Sequence, residues 1–178
     1  MTRHAAPAEM APLFEGAPRF LTRLVGAGPY ADDDALFVTA REIAHAMPEV
    51  EQLELIDAHP RLGAPPGTVS ALSYVEQGYD HDVTPTTDLA SELQRLNDAY
   101  EARFGFRYCV FVAGRPREAL LPGMTAALEA DRDAEIHRAI DAVVDIAMDR
   151  RATLATPTTP TTPTSQASQT SEPWEATS

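Results

Sequence analysis

The sequence predicts an all-α fold, arranged as a single-domain helical bundle, and three observations lead there. Apolar residues recur at helical spacing in window after window, with capping residues just ahead of them. Only one short apolar run could be a strand. No other segment offers it a partner, and a lone strand leaves its backbone groups unpaired.

In chain order, Asp32, Asp33 or Asp34 caps a helix whose apolar positions are Leu36, Ala40, Ile43 and Met47. Pro48 suits the first turn of the next helix, with Val50, Leu53 and Ile56 along one face. A third helix is expected from Ser70 to about Gln77. The clearest pattern is Leu89, Leu93, Leu96, Tyr100 and Phe104, capped by Thr87 or Asp88. A last helix opens at Asp131 and carries Ile136, Ile140, Val143, Val144 and Ala147. The exceptional run is Tyr108-Cys109-Val110-Phe111-Val112, strand or helical turn by pattern, and expected to be buried.

With 178 residues the chain has the size of one domain and can bury a real core. Residues 1–10 read as a flexible N-terminus, 11–152 as the helical domain and 153–178 as a tail. From Ala155 to Ser178 the sequence is Thr, Pro and Ser with almost nothing to bury, so disorder is expected there, with Trp174 exposed. Net charge is −13, from 27 acidic and 14 basic residues. That balance argues against nucleic acid, which needs a basic face, and against anionic membrane surfaces. No apolar run reaches the length of a membrane span. The single cysteine, Cys109, cannot close an intramolecular disulfide. With no signal-peptide pattern at the start and no peroxisomal address at the end, a cytoplasmic protein is expected.

Motifs for nucleotide, phosphate and zinc binding, and for a serine nucleophile, are absent. His4, His45, His59, His81 and His137 lie far apart, so no metal site is expected. Asp80-His81-Asp82 could hold a cation weakly, but reads more simply as a loop. What remains is His59-Pro60 at the end of an apolar-periodic helix. Pro60 drives residue 59 out of helical geometry, fixing the imidazole at a break in the chain. A histidine there titrates near neutral pH and can shuttle a proton. Taken locally, the simpler reading is a helix-terminating His whose charge suits the dipole. Glu76 is either solvated surface or a carboxylate facing inward among Leu72, Tyr74 and Val75. Gln77 adds an amide able to read ureide groups. Arg150 and Arg151 either complement the final turn of the last helix or send one guanidinium into a pocket.

Together these residues resemble the signature of the 2-oxo-4-hydroxy-4-carboxy-5-ureidoimidazoline (OHCU) decarboxylase family. The matching stretches are Leu13-Phe14-Glu15 with Pro18, Leu55-Ile56-Asp57-Ala58-His59-Pro60, and Ser73-Tyr74-Val75-Glu76-Gln77. Leu96-Asn97 with Tyr100 and Phe104-Gly105-Phe106 follow, then Ile146 and Arg150. The resemblance covers roughly residues 11–152. It implies a bundle of the OHCU decarboxylase type, commonly a homodimer. It also implies a cofactor-independent carboxy-lyase that turns OHCU into (S)-allantoin in urate and purine breakdown. His59 would be the catalytic proton donor, with Glu76 and Arg150 as further catalytic residues. The small ureidoimidazoline substrate would be held by Pro60, Ser73, Tyr74, Val75, Gln77, Tyr108, Cys109, Val110, Phe111 and Val112. The chain departs from the family pattern in a shortened loop from Arg61 to Leu72 and in Gly78-Tyr79-Asp80-His81-Asp82 after Gln77. Two other readings stay open: a divergent paralogue acting on a related ureide, and a non-catalytic helical binding module.

Overall fold

A computed structural model describes residues 6–79 and 86–155. Every regular element among them is helical: α1 (Pro7–Met10), α2 (Pro18–Ala27), α3 (Asp33–Ala46), α4 (Glu49–Asp57), α5 (Ala71–Glu76), α6 (Thr87–Phe104), α7 (Leu121–Ala127) and α8 (Arg132–Ala155). The all-α expectation is borne out. Short 3₁₀ turns lie at Pro66–Thr68 and Arg117–Leu120.

The longest helix, α8, is the spine, packed against α3, α4 and α5. Its stripe Ile136, Ala139, Ile140, Val143, Val144 and Ala147 is buried. That stripe runs i, i+3, i+4, i+7, the pattern that carries one helix face into a core. The same logic buries Leu89, Leu93, Leu96, Tyr100 and Phe104 on α6. Polar caps start four of the helices: Asp131 accepts the Asp133 N–H at 2.9 Å to open α8, and three more act in the same way. Asp32, Ser70 and Thr86 each accept a backbone N–H from their first turn, at 2.8, 3.1 and 3.3 Å. Thr86, one residue ahead of the expected position, is the cap of α6.

Several features differ from the sequence reading, the first of them in α4. In α4 the inward face is Gln52, Leu55 and Ile56, while Val50 is 63% exposed. Pro48 stands at the N-cap rather than in the first turn. Two helices fall outside the sequence reading, although α2 carries Pro18 in its first turn and buries Phe20, Leu21 and Leu24. α2 opens at Pro18 without a side-chain cap, and α7 holds a Pro-Gly pair inside its first turn. Finally, α1 occupies residues 7–10 of the segment expected to be flexible, and Met10 is wholly buried. At the other end α8 runs to Ala155, and residues 156–178, with Trp174, lie outside the described residues, as do Asp80-His81-Asp82.

Residues 107–112 cross the molecule as irregular, mostly buried backbone between α6 and the second 3₁₀ turn. Their anchors are side chains. Asp57 accepts the Arg107 N–H at 2.8 Å, Arg138 donates to the Cys109 carbonyl at 2.8 Å, and Glu76 accepts the Val112 N–H at 3.0 Å.

Candidate active site

His59 follows the last turn of α4, and its N–H still bonds the Ile56 carbonyl at 3.1 Å. The ring is 3% exposed. Arg107 clamps the break by donating to the carbonyls of Asp57 and His59 at 2.8 and 3.0 Å. Nδ1 lies 3.3 Å from the Leu55 carbonyl, which can only accept. The proton therefore sits on Nδ1, and Nε2 carries a bare lone pair. That Nε2 is buried with no protein partner. Burial, then the charge of Arg150, pushes the imidazole down to about 4. This corrects the expected near-neutral titration: a ring taken out of water beside a cation stays neutral at physiological pH.

A cavity of about 20 Å³, room for a single water molecule, lies against this ring. Its walls include Pro60, Ser73, Glu76, Gln77 and, from the crossing backbone, Tyr108, Cys109, Val110 and Val112. Among the described residues the N–H groups of Tyr108, Cys109, Val110 and Phe111 have no hydrogen-bond partner. A ligand here would find unspent donors. The thiol of Cys109 is pushed up to about 12, chiefly by burial, so it is inert as a nucleophile.

Glu76 comes from the end of α5. Burial raises its carboxyl above the usual carboxylate range, opposed by the Val112 N–H and by Arg150. A second cavity, of about 300 Å³, shares Glu76, Gln77 and Val112 with the first and opens outward past Val75, Phe111, Arg115 and Arg117. The Glu76–Val112 hydrogen bond thus joins two residues that line both.

Arg150, near the C-terminal end of α8, is 2% exposed and does not reach the inner cavity itself. It donates to the carbonyls of Pro12 and Leu13 at 3.1 and 3.2 Å and to Ser73 Oγ at 2.8 Å, and pairs with Glu15 at 2.8 Å. Arg151 turns the other way, to Asp33 at 3.2 Å.

Of the residues named from sequence, the structure brings His59, Pro60, Ser73, Glu76, Gln77, Tyr108, Cys109, Val110 and Val112 to one cavity. Val75 and Phe111 line the outer one. Tyr74 lines neither and packs on Tyr79, ring centroids 5.3 Å apart. The Gln77 amide is committed to the protein: it accepts the Gly63 N–H at 3.0 Å and donates to the Arg61 carbonyl at 3.2 Å. It holds the shortened loop, which Asn97 secures from below through the Leu62 carbonyl at 3.0 Å. Arg61 fixes the loop from outside, to Glu101 at 2.7 Å and Asp98 at 3.0 Å. Sequence reasoning passed over Arg107 and took Asn97 only as part of a matching stretch, with no role assigned. An Asn inside the leucine stripe of α6 was the available signal for the latter.

The model of the OHCU decarboxylase family matches residues 1–152. The chain belongs to the OHCU decarboxylase family. An OHCU decarboxylase of Haloferax volcanii is 27% identical over 140 residues, which are 79% of this chain and 83% of that one. A uric acid degradation bifunctional protein of a Bacillus species is 28% identical over 138 residues, 78% of this chain. The chain spans only 27% of that longer protein. Among solved structures, an OHCU decarboxylase crystallised in the presence of (S)-allantoin superposes with a TM-score of 0.68 at 24% identity. It covers 84% of this chain and 98% of the other, and shows that the helical fold is that of OHCU decarboxylase.

Proposed function

We propose that the protein catalyses the cofactor-independent decarboxylation of OHCU to (S)-allantoin, a step of urate degradation. One observation carries this reading: a buried, neutral imidazole with an unpartnered Nε2 lines a cavity that a carboxyl group with raised proton affinity also lines.

The substrate supplies its own electron sink. The carbon bearing hydroxyl and carboxylate adjoins an imine carbon. As CO2 leaves, the C–C electron pair becomes a double bond between these two carbons, and the imine nitrogen takes up its former π pair with a proton. Glu76, whose proton affinity burial raises, gives that proton and regains one from solvent. The hydroxyl proton then passes to His59 Nε2 as the carbonyl forms, and His59 returns a proton to the adjoining carbon. Over the cycle one proton is consumed and CO2 is released. Proton delivery from one side of the ring makes the product a single enantiomer. Orientation and exclusion of water supply the remaining acceleration.

The substrate is larger than the inner cavity, so its admission parts the Glu76–Val112 hydrogen bond and joins inner and outer spaces. The freed Val112 N–H and those of residues 108–111 then hold the ureido arm. The same reading makes the protein a cytoplasmic homodimer. It is supported by the family resemblance and the acidic, single-cysteine composition. Among the described residues, no helix is long and apolar enough to cross a membrane.

The test is chiral analysis of the product made from freshly generated substrate, since spontaneous decay also yields allantoin. One enantiomer, formed faster than the background, supports the proposal. A racemic product at the spontaneous rate rejects it.

A further inference from the structure

Glu15 lies between α1 and α2 with φ at 51°, in the left-handed region. A residue with a Cβ stays there only when its surroundings fix it, and such strain gathers at functional sites. Here the fixing is done through the carboxylate. Its Oε1 accepts the Ser70 hydroxyl at 2.8 Å and the Ser73 hydroxyl at 2.5 Å, and lies 2.8 Å from Arg150 Nη2. Burial raises this carboxyl, but the two serine hydrogen bonds and Arg150 outweigh it, and Glu15 is held below the usual carboxylate range. Arg150 Nη2 also donates to Ser73 Oγ at 2.8 Å. A serine hydroxyl has one proton and two lone pairs. The proton of Ser73 goes to Glu15 and one lone pair to Arg150, which leaves a single lone pair for the cavity wall that Ser73 shares with His59.

We propose that Glu15 is a positioning residue of the active site. Its carboxylate fixes the Ser73 hydroxyl so that the cavity meets an acceptor there and never a donor, and it neutralises the guanidinium buried behind that serine. The catalytic consequence rests on the function proposed above; the geometry and its test do not. An acceptor beside His59 suits the N–H edge of a ureide or imidazoline and rejects a second acceptor at the same position.

The ionisable groups around the His59 ring are Glu15, Glu76 from α5, Tyr108 and Cys109 from the crossing backbone, and Arg150 from α8. Arg150 and Glu15 act on His59 in opposite directions, and on Glu76 likewise. Were the Glu15 charge screened from the cavity, replacing it with an amide would leave these titrations in place.

The experiment is an imidazole ¹⁵N NMR titration of the full chain, with no substrate present. In Glu15→Gln the His59 midpoint falls by roughly one unit, since Arg150 is then uncompensated. At pH 4, where the wild-type ring is half protonated, the variant ring stays neutral. In Glu15→Gln with Arg150→Gln, both charges are gone and the midpoint returns toward the wild-type value. A His59 midpoint that does not move in folded Glu15→Gln overturns the proposal. Should that variant not fold, Arg150→Gln alone tests the same relation with the opposite sign. Glu15 then faces His59 unopposed and the midpoint rises; a midpoint that stays put is equally fatal. A wild-type enzyme yielding racemic allantoin while the midpoint shifts as described would sink the proposed reaction and leave the positioning role standing.

Discussion

Val112 donates its backbone N–H to the Glu76 carboxyl group at 3.0 Å, and both residues line the cavity at His59 as well as the larger one outside it. A side chain from a short helix and a main-chain group from irregular backbone thus form a contact that ligand can replace. Glu76→Gln keeps an oxygen to accept the Val112 N–H, so the fold should survive. The amide cannot exchange a proton, and kcat should drop about 100-fold or more. A variant with wild-type kcat would remove Glu76 from the chemistry.

His59→Asn should fold and lose roughly a hundred- to ten-thousand-fold of the enantioselective rate. Chiral chromatography of the product reads this directly. Full stereoselectivity at the wild-type rate would show that the imidazole is a bystander.

The same ring links stability to pH. Its folded value is about 4, below the ordinary 6.5. Between these values the unfolded chain binds a proton that the native protein refuses, so stability rises with pH across the window. The contribution is complete above 6.5, is lost as pH falls to about 4, and amounts to about 3 kcal/mol. Urea unfolding of wild type and His59→Asn at pH 7 and pH 5 should show a smaller loss for the variant. Equal losses would mean that His59 is not held neutral.

Arg150→Met leaves the half-buried Glu15 without its cation and the Pro12 and Leu13 carbonyls without a donor. Breaking a buried pair from one side costs about 3–5 kcal/mol. Arg150→Lys should recover only part of this, because one ammonium cannot span carbonyls, serine and carboxylate as the planar fork does. A thermal scan of the three proteins gives the ranking wild type, Lys, Met. Any other order contradicts the assignment.

Gln77 reads from sequence as a ureide contact, yet its amide ties down the loop at Arg61 and Gly63. Gln77→Ala should therefore cost about 1 kcal/mol of stability, from two loop hydrogen bonds lost at part-buried groups. If the amide instead leaves the loop to meet substrate, the variant keeps its stability and KM alone rises.

Where the sequence was legible, one signal sufficed. The stripes on α6 and α8 have the helical period over several turns, and the His59-Pro60 break is written in the proline. In α4 the nine residues of the helix carry apolar side chains on more than one face, so period alone chose Val50 and the packing chose Leu55. α7 was hidden because Pro122-Gly123 reads as a turn, although proline is tolerated in a helix's first turn. Glu15 was seen as part of a motif but not as a partner of Arg150. Nothing local announces a contact made across so much of the chain, and the Arg150–Leu13 hydrogen bond likewise spans 137 positions. Long-range convergence of this sort belongs to tertiary packing, not to periodicity.

The chain's lone sulfur carries a practical consequence. Cys109 is 4% exposed, and its thiolate is unfavourable while the core is closed. Alkylating reagents should therefore label it only when the crossing backbone lifts away from α8. Labelling rate becomes a clock for that opening, set by the opening equilibrium when reclosing outruns the reagent and by the opening rate when it does not.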